Sequence, residues 1–185
     1  MMHERKLNRM KGYDYSTSGA YFVTLCVRNR VENKNIFGEI RNKKMILNQT
    51  GIISTNYWLE IPNHYVGVSI DEFIIMPDHI HGIIVINDNV GTGHCPVPTD
   101  TETITETETK KNIPKYGKLS KIVKSYKNAI TKYISENEYA KFQWQRSFHD
   151  HIIRNDHELN RIRQYIIDNP MKSNNHNIRQ IAGEE

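Results

Sequence analysis

Cysteine is scarce in this chain. Cys26 and Cys95 are the only two among 185 residues, they lie far apart, and they form no CxxC pair. That argues against a disulfide framework and makes a reducing cytosol the natural home. Long hydrophobic runs are also missing. No stretch approaches the ~18 apolar residues of a membrane span. The start, MMHERKLNRMKGYDYS, is basic but lacks the apolar core of a secretory signal. Acid is missing from one place in particular. From Lys110 to Lys132 there are eight lysines and no Asp or Glu. Just before that segment lies TDTETITETETK, with acids at Asp100, Glu102, Glu106 and Glu108. This Thr/Glu repeat has no helical periodicity. With the turn-rich NDNVGTGHCPVP ahead of it, it reads as a flexible surface loop over 88–112.

What remains suits one soluble domain over 1–185 with a real core. Hydrophobic residues are 37 % and charged residues 25 %. A net charge of +4 and a pI of about 9.0 hint at a polyanionic partner without establishing one.

The patterning orders the elements. GAYFVTLCVRN reads as a strand near 20–28, and IFGEIRNKKMILN as a short hairpin turned at Arg41-Asn42-Lys43. In TGIISTNYWLEI, Ile53, Tyr57 and Ile61 share helical spacing, with Pro62 as the stop. VGVSIDEFIIMP is a second main strand ended by Pro77. HIHGIIVIN is a third, apolar on both faces and so central in its sheet. The clearest helix is GKLSKIVKSYKNAITKYISE. Its apolar stripe runs Leu119, Ile122, Val123, Tyr126, Ile130, Tyr133, Ile134, with Lys118, Lys121, Lys124, Asn128 and Lys132 on the other side. RSFHDHIIR is a fourth strand. NDHELNRIRQYIIDNP is a closing helix, capped by Asn155 with Glu158 three residues on and stopped at Pro170. The order predicts an α+β, ferredoxin-like β-α-β-β-α-β arrangement with an antiparallel sheet and an extra C-terminal helix. That fold hosts many functions, so function has to come from the site.

Alternate residues of a strand share a face, so His79 and His81 project together and Ile80 points the other way. Neutral imidazoles so placed are good metal ligands, and two of them leave a metal open to other groups. They equally suit two ordinary hydrogen-bonded histidines. A second pair, His149 and His151, makes a four-histidine zinc site conceivable if both pairs face one cavity. On the closing helix, Glu158, Tyr165 and Asn169 share one flank beside the apolar Leu159, Ile162 and Ile166. Two imidazoles and a carboxamide could hold a divalent ion, and the phenol could be a nucleophile. A tyrosine at a core edge is also simply amphipathic, and there are ten in the chain.

Taken in order, MPDHIHGIIVI, the basic helix, and WQRSFHDHIIRNDHELNRIRQYIIDNPMK resemble the single-tyrosine HUH transposases, REP-associated branch. The leading KGYDY and GAYFVTLCV fit the same branch, and the likeness spans nearly the whole chain apart from the Thr/Glu loop. The resemblance implies that His79, His81 and Asn169 bind Mg²⁺ or Mn²⁺ and that Tyr165 is the nucleophile. It implies cleavage and rejoining of single-stranded or hairpin DNA through a 5′-phosphotyrosine, by a cytoplasmic, nucleoid-associated protein. Lys118, Lys121, Lys124, Arg154, Arg161 and Arg163, with Arg5 and Arg9, are then candidates to track the DNA backbone. The lysine face is equally explained as solvated helix surface. Two rivals stand beside this expectation: a ferredoxin-like nucleic-acid binder without catalysis, and a domesticated nuclease with a host task. Monomer and dimer both stay open.

Overall fold

The structure, a computed structural model, describes residues 17–28, 35–87, 117–137 and 142–172. The expected loop over 88–112, together with Arg5 and Arg9, lies outside the described residues. Four strands form the main sheet: β1 (Gly19–Cys26), β4 (Val68–Ile75), β5 (His79–Ile86) and β6 (His149–Ile153), in the order β4-β5-β1-β6, with every neighbouring pair antiparallel. Two further strands, β2 (Gly38–Arg41) and β3 (Lys44–Leu47), make the expected hairpin. Its two turn residues, Asn42 and Lys43, take φ of 49° and 62°. This is the primed turn that matches strand twist. The helices are α1 (Gln49–Leu59), α2 (Ile61–His64), α3 (Lys118–Glu136) and α4 (Asp156–Lys172). The ferredoxin-like arrangement is therefore present, with β5 central as its apolar run requires.

The sheet separates two cores. Behind it, α1 and α3 pack over Tyr21, Val23, Leu25, Ile80, Ile84 and Ile86. In front, α4 lays Ile162 and Ile166 on Phe22, Ile83 and Ile153. The alternation of β5 is thus literal: the histidines point forward and Ile80 and Gly82 point back. Gly82 has a steric reason. A methyl group there would meet the Trp58 ring at 2.3 Å, and that ring is fully buried. Trp58 stacks on Phe73 and meets Tyr126 edge-on, and the Tyr126 hydroxyl donates to the Ser54 carbonyl at 3.0 Å. Burial pushes the Tyr126 phenol well above the ordinary range.

Three local expectations are corrected. The buried side of α1 is Thr50, Gly51, Ser54 and Trp58; Tyr57 faces solvent and Ile53 is only half-buried. Trp58 has the largest apolar area to hide, and Ser54 can follow it inward because its hydroxyl donates to the Thr50 carbonyl at 2.7 Å. Pro62 does not end the helical segment. It sits in the first turn of α2, where a missing N–H costs nothing. Pro170 does not end α4 either, and the helix continues to Lys172. Inside the helix the proline has no N–H to give and forfeits one helical bond.

Replacing Gly82 by Ala forces the buried Trp58 ring to move. Chemical denaturation should show a loss of about 1–3 kcal/mol, with an unchanged dependence on denaturant.

Candidate active site

β5 opens immediately after Pro77-Asp78, and that turn matters chemically. The Asp78 carboxylate accepts from His79 Nδ1 at 2.6 Å. Two residues on, His81 is buried, and its Nδ1 lies 2.9 Å from the Thr24 hydroxyl. Thr24 is the residue directly opposite His81 in the β1–β5 register. Each imidazole is therefore oriented through Nδ1. When Nδ1 carries the proton, the Nε2 lone pair is presented, which is the arrangement metal-ligating histidines use. The two rings sit 4.7 Å apart, centroid to centroid. Phe22 stacks on His81 at 5.4 Å and fixes its plane.

α4 crosses this face. Tyr165 is half-buried, and its hydroxyl lies 3.5 Å from His81 Nε2. The phenol ring also meets Phe22 edge-on at 6.0 Å. Asn169, one turn further on, is 9 % exposed, although the stripe next to it is apolar. His79, His81 and Tyr165 are thus brought together, and Asn169 lies on the buried side of the same helix.

Two polar ties hold α4 in place. At one edge, Arg163 forks onto Asp71, with Nε to Oδ1 at 2.8 Å and Nη2 to Oδ2 at 2.6 Å. Asp71 lies in an irregularity of β4 between Ile70 and Phe73, where an interrupted ladder re-aims side chains. The guanidinium hydrogen bond holds the Asp71 carboxyl below the usual range, against the opposing effect of burial. At the other edge, His151 Nε2 donates to Glu158 Oε1 at 2.6 Å, and the Arg154 N–H donates to Glu158 Oε2 at 2.8 Å. That backbone hydrogen bond is the main cause of a lowered Glu158 pKa. The Asn155 cap is present, accepting from the Glu158 N–H at 2.8 Å. Glu158 reaches back one residue further than a capping box would, to Arg154.

The four-histidine zinc alternative does not assemble. Thr24 of β1 stands between His81 on one side and His149 on the other, so the two pairs are two strand spacings apart, roughly 10 Å. His151 is engaged with Glu158, and His149 is exposed. Among the described residues, no group of three or more His, Cys, Asp or Glu could hold a metal ion. An amide-completed pair of histidines lies outside that class.

The basic candidates divide. Arg161 is exposed beside the phenol and lines a cleft of about 390 Å³ with Phe22, Tyr165 and Lys172. Arg163 is committed to Asp71, and Arg154 enters the α4 cap through its backbone. Lys118 donates to the Val66 carbonyl at 2.7 Å. Lys121 and Lys124 are exposed on α3, behind the sheet, so they do not share the face of the tyrosine. Thr24 and Asp71 were not suggested by the sequence reading. Asp78 was visible inside the PDHIH stretch, and an acid next to a histidine pair was a usable signal.

No family model matches the chain. It is 36 % identical over 173 residues to a Haemophilus influenzae protein described as uncharacterized, spanning 92 % of this chain and 90 % of that one. Among solved structures, a REP-associated tyrosine transposase bound to a REP hairpin superposes with a TM-score of 0.57. Identity there is 17 %, over 94 % of this chain and 74 % of the other, so the likeness is one of fold. No helix among the described residues is long and apolar enough to cross a membrane.

The pH dependence of stability tests the Arg163 tie. A lowered carboxyl pKa in the folded state contributes stability that is complete above the ordinary value of 3.8. It fades as acid titrates Asp71 through its lower folded value. Asp71→Asn should therefore be less stable than the parent near pH 6, and the two should converge toward pH 2 in thermal melts.

Proposed function

The chain belongs to one family with its Haemophilus influenzae relative and folds like a REP-associated tyrosine transposase; from that premise we propose that it cleaves and rejoins single-stranded or hairpin DNA through Tyr165. One observation carries the reading. The Tyr165 hydroxyl stands 3.5 Å from Nε2 of a buried, doubly oriented histidine, over a half-open face. A nucleophile on the edge of a rigid helix, facing a pair of preset ligands, is what phosphoryl transfer to a side chain requires.

The residues fit a divalent cation. His79 and His81 would hold it through Nε2, with Asn169 completing the set. Mg²⁺ or Mn²⁺ bound there supplies charge stabilisation at the phosphate oxygens. The protein's own groups do the rest. Asp78 and Thr24 hold the imidazoles in the ligating orientation. Phe22 and the apolar face of α4 exclude water from one side of the phenol. Arg161 and Lys172 line the cleft beside it, where a phosphodiester backbone would enter.

In the step itself, the Tyr165 oxygen forms a bond to phosphorus and the bond from phosphorus to the 3′-oxygen breaks. The phenol gives up a proton and the leaving 3′-oxygen takes one. A diester becomes a diester, so no nucleotide cofactor is consumed and a DNA 3′-hydroxyl can run the step backwards. Reversal onto another end is strand transfer, which is how a transposase joins DNA.

Single-stranded hairpin DNA incubated with Mg²⁺ should form a covalent adduct that survives denaturing electrophoresis and maps to a peptide containing Tyr165. Tyr165→Phe should abolish the adduct and the cleavage, and His81→Ala should abolish both while leaving most DNA binding. Thr24→Val keeps the shape of the side chain and removes the His81 partner, so Mn²⁺ affinity should fall about 10–100-fold. Adduct formation by Tyr165→Phe would overturn the assignment. Cleavage without an adduct would make the protein a nuclease acting through water.

A further inference from the structure

Behind the sheet, between α3 and the 144–148 segment that leads into β6, lies a cleft of about 700 Å³. It is larger than the one beside the tyrosine and within the range of small-ligand sites. Its residues form a pattern the tyrosine chemistry does not use. Lys121, Lys124, Lys127 and Arg146 give it four cationic side chains, and none of the described residues that line it is acidic. The Lys127 ammonium is drawn inward. It donates to the carbonyls of Gln145 at 3.1 Å and Ser147 at 2.8 Å, and sits 5.5 Å from the Trp144 ring centre. Burial pulls its pKa down to about 8, as expected of a cation held against neutral partners.

A second feature is independent of charge. Ser120 lines the same cleft, is 8 % exposed, and its hydroxyl has no hydrogen-bond partner among the described residues. A buried hydroxyl left unpaired costs about 1–3 kcal/mol, and a bound polar group would relieve that cost. Phe148 and Val123 add an apolar wall beside it.

Cations at the rim suit a phosphate. An apolar wall with a hydroxyl and the amides of Asn128 and Gln145 suits a planar ring with polar edges. We propose that this cleft is a nucleotide-binding site, taking one phosphate-and-base unit of a single nucleic-acid strand, on the side of the sheet opposite Tyr165. A free mononucleotide presents the same chemistry and is separated from a strand by the test. The inference does not depend on the tyrosine reaction, and it is tested without divalent cation so that cleavage plays no part.

The probe is a fluorescent eight-residue oligothymidylate in EDTA, competed by thymidine monophosphate and by inorganic phosphate. Lys124→Gln with Arg146→Gln removes two exposed cations and should leave the fold intact. It should weaken oligomer binding about 10-fold or more and flatten the salt slope by about 0.7, the value for one phosphate of a single strand. Ser120→Ala should weaken the oligomer and thymidine monophosphate by a few fold each. Lys44→Gln with Lys132→Gln, two exposed lysines outside the cleft, should change little. Thymidine monophosphate should compete better than phosphate; if it matches the oligomer per site, the occupant is a free nucleotide. The proposal fails if phosphate competes as well as the mononucleotide, if the control pair costs as much as the cleft pair, or if Ser120→Ala has no effect. None of these outcomes bears on the Tyr165 adduct, which is scored separately with Mg²⁺.

Discussion

The pairing of β1 with β5 is the constraint on which the site depends. Thr24 stands opposite His81, Cys26 opposite His79, and Phe22 opposite Ile83. In that register the only hydroxyl on the forward face of β1 meets the buried imidazole, and an aromatic ring one pleat away stacks on it. A slip of one residue would turn Val23 or Leu25 toward the histidines and send Thr24 into the rear core. The apolar content of the strands makes that slip costly, because Tyr21, Val23, Leu25, Ile80 and Ile84 are all fully buried behind the sheet. Hydrophobic burial on one face thereby sets polar geometry on the other.

The same logic explains the glycine after the second histidine. The forward face of β5 carries the two histidines, so the rear face must anchor the strand. Gly82 admits the Trp58 ring to the backbone itself, and Trp58 in turn is held by Phe73 and Tyr126. Precision in front is supported by close packing behind. α4 is positioned differently. Its apolar contact is small, and its two polar ties reach opposite edges of the sheet, Asp71 on β4 and His151 on β6. Spread across the sheet, they resist rotation of the helix about its axis, which is the motion that would swing Tyr165 away from His81.

Much of this was legible in the chain. Periodicity marked α3, and alternating or aromatic-rich stretches marked the six strands. The phase of α4 placed Tyr165 and Asn169 together, and alternation put both histidines on one face. What escaped was what periodicity does not encode. The Thr24–His81 contact depends on inter-strand register between residues 57 positions apart in the chain. The Asp71–Arg163 fork depends on a ladder irregularity without any Gly or Pro signature. The buried face of α1 differs from the expected stripe because the tryptophan outweighs Ile53 and Tyr57, and Ser54 can be buried once its hydroxyl bonds the preceding turn; Ile61 is buried as expected. The second histidine pair showed the opposite failure. Its spacing matched the first, and only the intervening β1 and the neighbouring Glu158 give it a different role.

The division of the molecule by its sheet also explains the charge pattern that looked ambiguous along the chain. A lysine-rich helix beside a reactive tyrosine would act in the same place. Here α3 and α4 lie on opposite faces, so a strand at the tyrosine cannot touch Lys121 or Lys124 without passing an edge. β6 is one edge of the sheet, and the 144–148 segment that lines the rear cleft leads into it. Its short length and exposed His149 leave that edge low and polar. Two cationic surfaces joined over such an edge can engage separate parts of one flexible polyanion, and flexibility is what a single strand has and a duplex lacks. On the proposed reading, a strand held in the rear cleft would be raised in local concentration at the front, with no rear side chain contributing an atom to the chemistry.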